Sequence, residues 1–132
     1  MIRDFFKEIK YFIQRGRRGW SDRDIWSFDS YLCEVIPPVM RKFSKNNVGC
    51  PGELYDSKLV NNECAKWQSI LEEIAQGFEA AEEMKNLRFD FQWEKKGEKY
   101  TKEYKEEKQK QLAKKFDRGM GLFAKYFLNL WD

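Results

Sequence analysis

The densest run of chemistry-bearing side chains is RGRRGWSDRDIWSFD, residues 15–29, with four arginines, three aspartates and two tryptophans. Guanidinium groups grip phosphates and carboxylates with two parallel hydrogen bonds and stack on indole faces. Arg15, Arg17, Arg18, Trp20, Arg23, Trp26 and Asp29 are therefore candidate binding residues, and Arg118, next to the apolar Phe116, joins them. Two arrangements are open. In one, Trp20, Arg23, Trp26 and Arg118 surround a pocket for a small nucleotide-like anion. In the other the segment is structural: Asp22 and Asp24 cap a helix, Arg23 pairs with an acidic residue elsewhere, Trp20 packs ahead of the helix and Trp26 enters the core. A buried Arg118 pair with Asp29 or Glu79 would then hold helices in register.

Other chemistries find little support. The chain has no histidine, which removes the commonest general base and metal ligand. Cys33, Cys50 and Cys64 are odd in number and form no CxxC pair, so neither a disulfide framework nor a zinc site is expected. Glu72-Glu73 and Glu82-Glu83 are adjacent carboxylates, but neighbours on a helix point about 100° apart and do not converge. The expectation is no catalytic residue, no metal and no cofactor, and a protein that binds rather than reacts. Lys95, Lys96, Lys99, Lys102, Lys105 and Lys108 could contact phosphates, but Glu103, Glu106 and Glu107 lie among them and repel a polyanion. Mixed charge of this kind suits a protein partner better. The order of expected partners is a protein, then a small anionic ligand, then nucleic acid.

The elements that must position these residues are helices. The chain has 132 residues, 42% hydrophobic and 36% charged, with eleven Phe, six Tyr and five Trp. That is one domain's worth of chain, able to bury a core of large aromatics. Ile2, Phe5, Phe6, Ile9, Phe12 and Ile13 form one helical stripe, which Gln14–Gly19 should end. Ser21 with Asp24 three residues on resembles a capping box. The helix it starts should run over 22–36, bend or restart at Pro37-Pro38 and continue to about 44. Its stripe is Ile25, Phe28, Leu32, Val35, Ile36, Val39 and Phe43. A loop follows over 45–62, then a helix over 63–84, capped by Asn61 or Asn62, on the stripe Trp67, Ile70, Leu71, Ile74, Phe78 and Ala81. Arg88–Trp93 alternates with period two, which is a strand signal without an obvious partner strand. The last helix begins near Glu98, exposed at first, then buried through Leu112, Phe116, Met120, Phe123, Phe127 and Leu130. Gly119 and Gly121 within it point to close approach of a neighbouring helix or a local break.

The expected fold is thus all-α, a compact bundle of four or five helices with a long C-terminal helix, as a single domain over residues 1–132. Residues 1–19 either cover an open face, project as an arm or form a homodimer contact. They contain no apolar core of a signal peptide. No stretch of about 18 apolar residues exists, so no membrane partner is expected.

GWSDRDIWSFDSYLCEVI, the stretch from Trp67-Gln68-Ser69-Ile70-Leu71 to Gly77-Phe78-Glu79, and the ending LFAKYFLNLWD together resemble a group of small proteins encoded by tailed phages and prophages. The shared pattern is Trp-Ser-x-x-Asp-x-Trp, then Trp-x-x-Ile-Leu-x-x-Ile-x-x-Gly-Phe, then Leu-Trp-Asp, with Asn129 where the group has an aromatic residue before the Leu. The Lys-rich stretch near 95–110 falls outside it. The resemblance transfers no activity and no site residue. It implies a phage gene product in the cytoplasm of a bacterial host. With no catalytic chemistry and an aromatic-rich, mixed-charge surface, the expected role is an accessory protein that binds a host or phage protein, inhibition of a defence system being one form of it.

Overall fold

A computed structural model describes residues 1–46, 49–54, 65–89 and 102–131. These residues are all-α. Helix α1 spans Ile2–Arg18, α2 Asp22–Trp26, α3 Phe28–Asn46, α4 Ala65–Phe89 and α5 Lys102–Lys125, the long C-terminal helix. Single 3-10 turns occupy Gly52–Leu54 and Phe127–Asn129, and no strand occurs among the described residues. The chain forms two compact units, Met1–Leu32 and Cys33–Asp132.

In the first unit α1 continues through Gly16, past the break expected at Gln14. Nothing approaches Gly16, and Arg15, Arg17 and Arg18 sit in the last turn, where cations favour the negative helix end. The stop is Gly19, at φ 81°, whose N–H donates to the Arg15 carbonyl at 2.9 Å. This left-handed C-cap is easily adopted only without a Cβ. The capping signal at Ser21 is real: Asp24 reaches back to accept from the Ser21 N–H at 2.7 Å.

The helix starting there is only five residues long, and the break expected at Pro37 falls instead at Ser27. Ser27 leaves helical geometry at φ −143°, and its carbonyl accepts from the Tyr31 N–H at 3.0 Å to open α3. Ser followed by Asp29 in the first turn is a helix-start signal of its own. Helix α3 then runs through both prolines, which withhold the N–H groups that the Cys33 and Glu34 carbonyls would accept. The shift of start also changes the register. Pro37 and Met40 are buried, with Cys33, Ile36 and Phe43 half-buried, whereas Ile25, Phe28 and Val39 are exposed.

In the second unit α4 is the central helix. Trp67, Ile70, Leu71, Ile74 and Phe78 are buried as the stripe predicts, and Ala75, Gly77 and Ala80 are buried beside them. Burial on more than one face fits a helix packed by neighbours on more than one side. Arg41 of α3 bridges to Glu72 and Glu79 of α4, and α4 packs along α5. Where α4 and α5 cross, Gly77 meets Gly119: a Cβ on either would lie 2.8 Å or 2.7 Å from the other's Cα. Gly119 thus answers the expectation of close helix approach. Gly121 has open space around it and does not.

The expected C-terminal stripe holds at Leu112 and departs at Phe127. Helix α5 ends at Lys125, and the 3-10 turn after it rotates the register. Tyr126 is buried at 3% exposure, edge-on to Trp67 with ring centroids 5.5 Å apart, while Phe127 is 58% exposed. The residues of the period-two run are helical at Arg88 and Phe89. The remainder of that run, the Asn61/Asn62 cap, Cys64, and Lys95, Lys96 and Lys99 of the proposed ridge lie outside the described residues.

Candidate binding surface

The corner between α1 and α2 gathers most of the candidate binding residues, and it satisfies most of their charges internally. Arg15 holds Asp24 with two hydrogen bonds, Nε to Oδ2 at 3.0 Å and a second to Oδ1. The Ser21 N–H and hydroxyl both donate to the same Oδ2, at 2.7 and 2.8 Å. Ser21 and Asp24 are 0% and 5% exposed, so this carboxylate is buried only because its oxygens are supplied with donors. The Arg15 guanidinium holds the Asp24 carboxyl below the usual carboxylate range, with the Ser21 donors adding to the effect.

Asp22 is held as firmly at the surface. Its N–H donates to Gln14 Oε1 at 2.9 Å, and its carboxylate accepts from Gln14 Nε2 at 2.8 Å and from Arg18, with Lys10 Nζ at 3.1 Å. These partners, Gln14 first, bring its pKa down to about 2. Arg18 also donates from Nε to the Trp20 carbonyl at 3.0 Å and stacks 3.7 Å from the Trp20 ring centre. Arg23 pairs with Glu8 at 2.8 Å. The Tyr31 hydroxyl donates to the Gly19 carbonyl and closes the corner from α3.

The expected binding residues therefore fall into separate groups. Arg15, Arg18 and Arg23 bind this unit's own carboxylates. Trp20 is covered on one side by Arg18, and Trp26, expected in the core under the structural arrangement, is 91% exposed. Arg17 has no carboxylate partner among the described residues. Asp29 lies in the first turn of α3. Arg118 belongs to the other unit, where it pairs with Glu73 in place of Glu79, and the pair is largely exposed. It borders an open hollow with Glu73, Gln76 and Lys115. Glu79 is taken by Arg41, whose guanidinium is held above its ordinary pKa by Glu79 and Glu72. Glu72 and Glu73 thus face different cations, as adjacent helical carboxylates should. Among the described residues no three potential metal ligands gather.

The consequence of the corner is the orientation of α1. At about 100° per residue, Gln14, Arg15, Arg18 and Glu8, the residues joined to α2, share the polar side of α1. Ile2, Phe5, Phe6, Ile9, Phe12 and Ile13 fall within an arc about 120° wide on the opposite side. All six are exposed, from 39% at Ile9 to 79% at Phe12, and α1 buries no residue at all. Isolated exposed apolar residues are ordinary, but a contiguous apolar face marks an interaction site. The arginine–tryptophan candidates overlooked this face. Its signal was the periodic stripe itself.

Compared with protein-family models, curated proteins and solved structures, the chain matches none.

Proposed function

We propose that the chain is a binding protein whose contact surface is the outward apolar face of α1. The observation that carries this reading is six large apolar side chains exposed on one helix whose polar side is already engaged by α2. Full burial of each is worth about 1.5–3 kcal/mol, so complete cover of all six supplies about 9–18 kcal/mol, of the same order as the cost of association. The absence of histidine and the internal pairing of the corner's arginines favour binding over catalysis. The resemblance of the three aromatic blocks to phage proteins adds a setting: an accessory protein made in an infected bacterium, engaging a host or phage component there.

The test compares the wild type with Phe5→Glu/Phe12→Glu by size exclusion and sedimentation, both purified and in host lysate. The wild type should associate in at least one setting, and the double variant should run at the 16.0 kDa monomer mass with an unchanged circular dichroism spectrum. Identical behaviour of the two proteins in every setting, lipid vesicles included, would refute the reading.

A further inference from the structure

We infer that the partner of the α1 face is an anionic lipid surface, on which the helix lies flat. This rests on the reading of that face as the contact surface, and charge placement carries the added step. Residues 1–19 hold six cations against two carboxylates, a surplus of four, although the whole chain has a surplus of only three. The cations are not spread evenly around α1. Arg3, Lys10 and Arg17 follow one another at intervals of seven residues, so they form a ridge along one edge of the apolar arc, one cation about every 10.5 Å. Arg3 and Arg17 have no carboxylate partner among the described residues, and Lys10 meets Asp22 only at the surface. The two carboxylates of α1 lie away from this ridge: Glu8 is held by Arg23, and Asp4 sits beside the terminal amine.

This is the layout of a helix in the plane of a lipid–water interface. The apolar arc enters the acyl boundary while long basic side chains at its edge reach the headgroups. No described helix is long and apolar enough to cross a membrane, so the contact is peripheral. The exclusion of a membrane partner drawn from the sequence applies only to a span. An antiparallel second copy fits less well, because the two basic ridges would face each other across the apolar arc and like charges at such an interface oppose association.

The test uses the full chain with vesicles of phosphatidylcholine and phosphatidylglycerol at 2:1, and of phosphatidylcholine alone, read by co-sedimentation at 50 and 300 mM salt. The wild type should bind the anionic vesicles, weaken at high salt and bind the neutral vesicles far less. Arg3→Gln/Lys10→Gln/Arg17→Gln should weaken anionic binding roughly a hundredfold, at about fivefold per cation. Phe5→Glu/Phe12→Glu should abolish it, with helicity and melting temperature kept in both variants. Equal binding to neutral vesicles, or undiminished binding by the triple variant, overturns the assignment. If no vesicle binds but the wild type forms a dimer or a protein complex that Phe5→Glu/Phe12→Glu dissolves, the lipid assignment is wrong and the contact surface stands. If neither occurs, both readings fall.

Discussion

The Gly77–Gly119 crossing allows a sharp test of how the second unit is held together. Replacing Gly119 with Ala puts a methyl group 2.7 Å from the Gly77 Cα and 3.0 Å from the Glu73 carbonyl oxygen. Both neighbours are backbone, so no side chain can swing aside. Ordinary carbon–carbon contact lies at about 3.5–4.0 Å, and α4 and α5 must separate by about 1 Å locally. A gap of that size forfeits a quarter to a half of each contact's dispersion energy along the seam, where the Phe78 and Phe123 rings now meet edge-on at 5.5 Å. Overpacking of this kind costs about 1–3 kcal/mol, and the separation adds a similar loss. The better helix propensity of Ala returns about 1 kcal/mol. The net expectation is a loss of about 1–5 kcal/mol, or roughly 4 °C in melting temperature for each kcal/mol in a unit of this size. Gly77→Ala meets the Gly119 Cα at 2.8 Å and should behave alike. Gly121→Ala, two residues on and turned away from α4 with nothing within 4 Å, should instead gain up to about 1 kcal/mol. Thermal and urea unfolding of the three variants decides the matter. If Gly119→Ala is as stable as the wild type, or Gly121→Ala falls with it, the close crossing is not what fixes these helices.

Two further outcomes follow from the same geometry. In the α1–α2 corner both aspartates are held below the ordinary carboxylate range, Asp22 at about 2 against a usual 3.8. The folded corner therefore binds fewer protons than the unfolded chain. Its stability is present in full above the usual value and is lost as pH falls through the folded one. An acid titration of the first unit by NMR should show that transition near pH 2–4, and it should flatten in Asp22→Asn. Register at the end of α5 is checked by a pair of truncations. Tyr126→Ala should cost about 3–5 kcal/mol, as loss of a buried aromatic does, whereas Phe127→Ala should stay below about 1 kcal/mol. The opposite ranking in chemical denaturation would restore the uninterrupted helical stripe.

Much of the fold was legible because apolar spacing and caps are local. Trp67–Phe78 read as a buried stripe, and Ser21 with Asp24 read as a helix start, because each depends on residues three or four apart. What failed depended on a choice between competing local signals. Gly16 resembled a stop, but Gly19 alone is followed by residues that fold back, with Tyr31 and Arg18 fastening the turn. The proline pair resembled a break, yet Pro37 is buried with Met40 inside the helix, and the break moves to Ser27, whose carbonyl accepts from the Tyr31 N–H to open the next helix. Partners distant in sequence were the hardest to foresee. Nothing local says that Arg118 takes Glu73 over Glu79, since both carboxylates lie on α4 and only the position of Arg41 removes one of them.

The α1 stripe shows the limit most clearly, and it decides the functional reading. Periodicity says which side chains share a face. It does not say whether that face turns inward. The same six residues would have formed a core had α1 been tied down by its apolar side. What turns them outward is a set of charges elsewhere: Asp22, Asp24 and Arg23 on the next helix find Lys10, Arg15, Arg18 and Glu8 on the polar side of α1 and bind that side instead. The arginines that resembled a ligand clamp are thus the reason an apolar surface is presented. Their role in binding is to orient the helix, and the two cations left over at its edge, Arg3 and Arg17, together with Lys10 between them, whose Asp22 contact is at the surface, are the ones placed to choose the sign of the surface it meets.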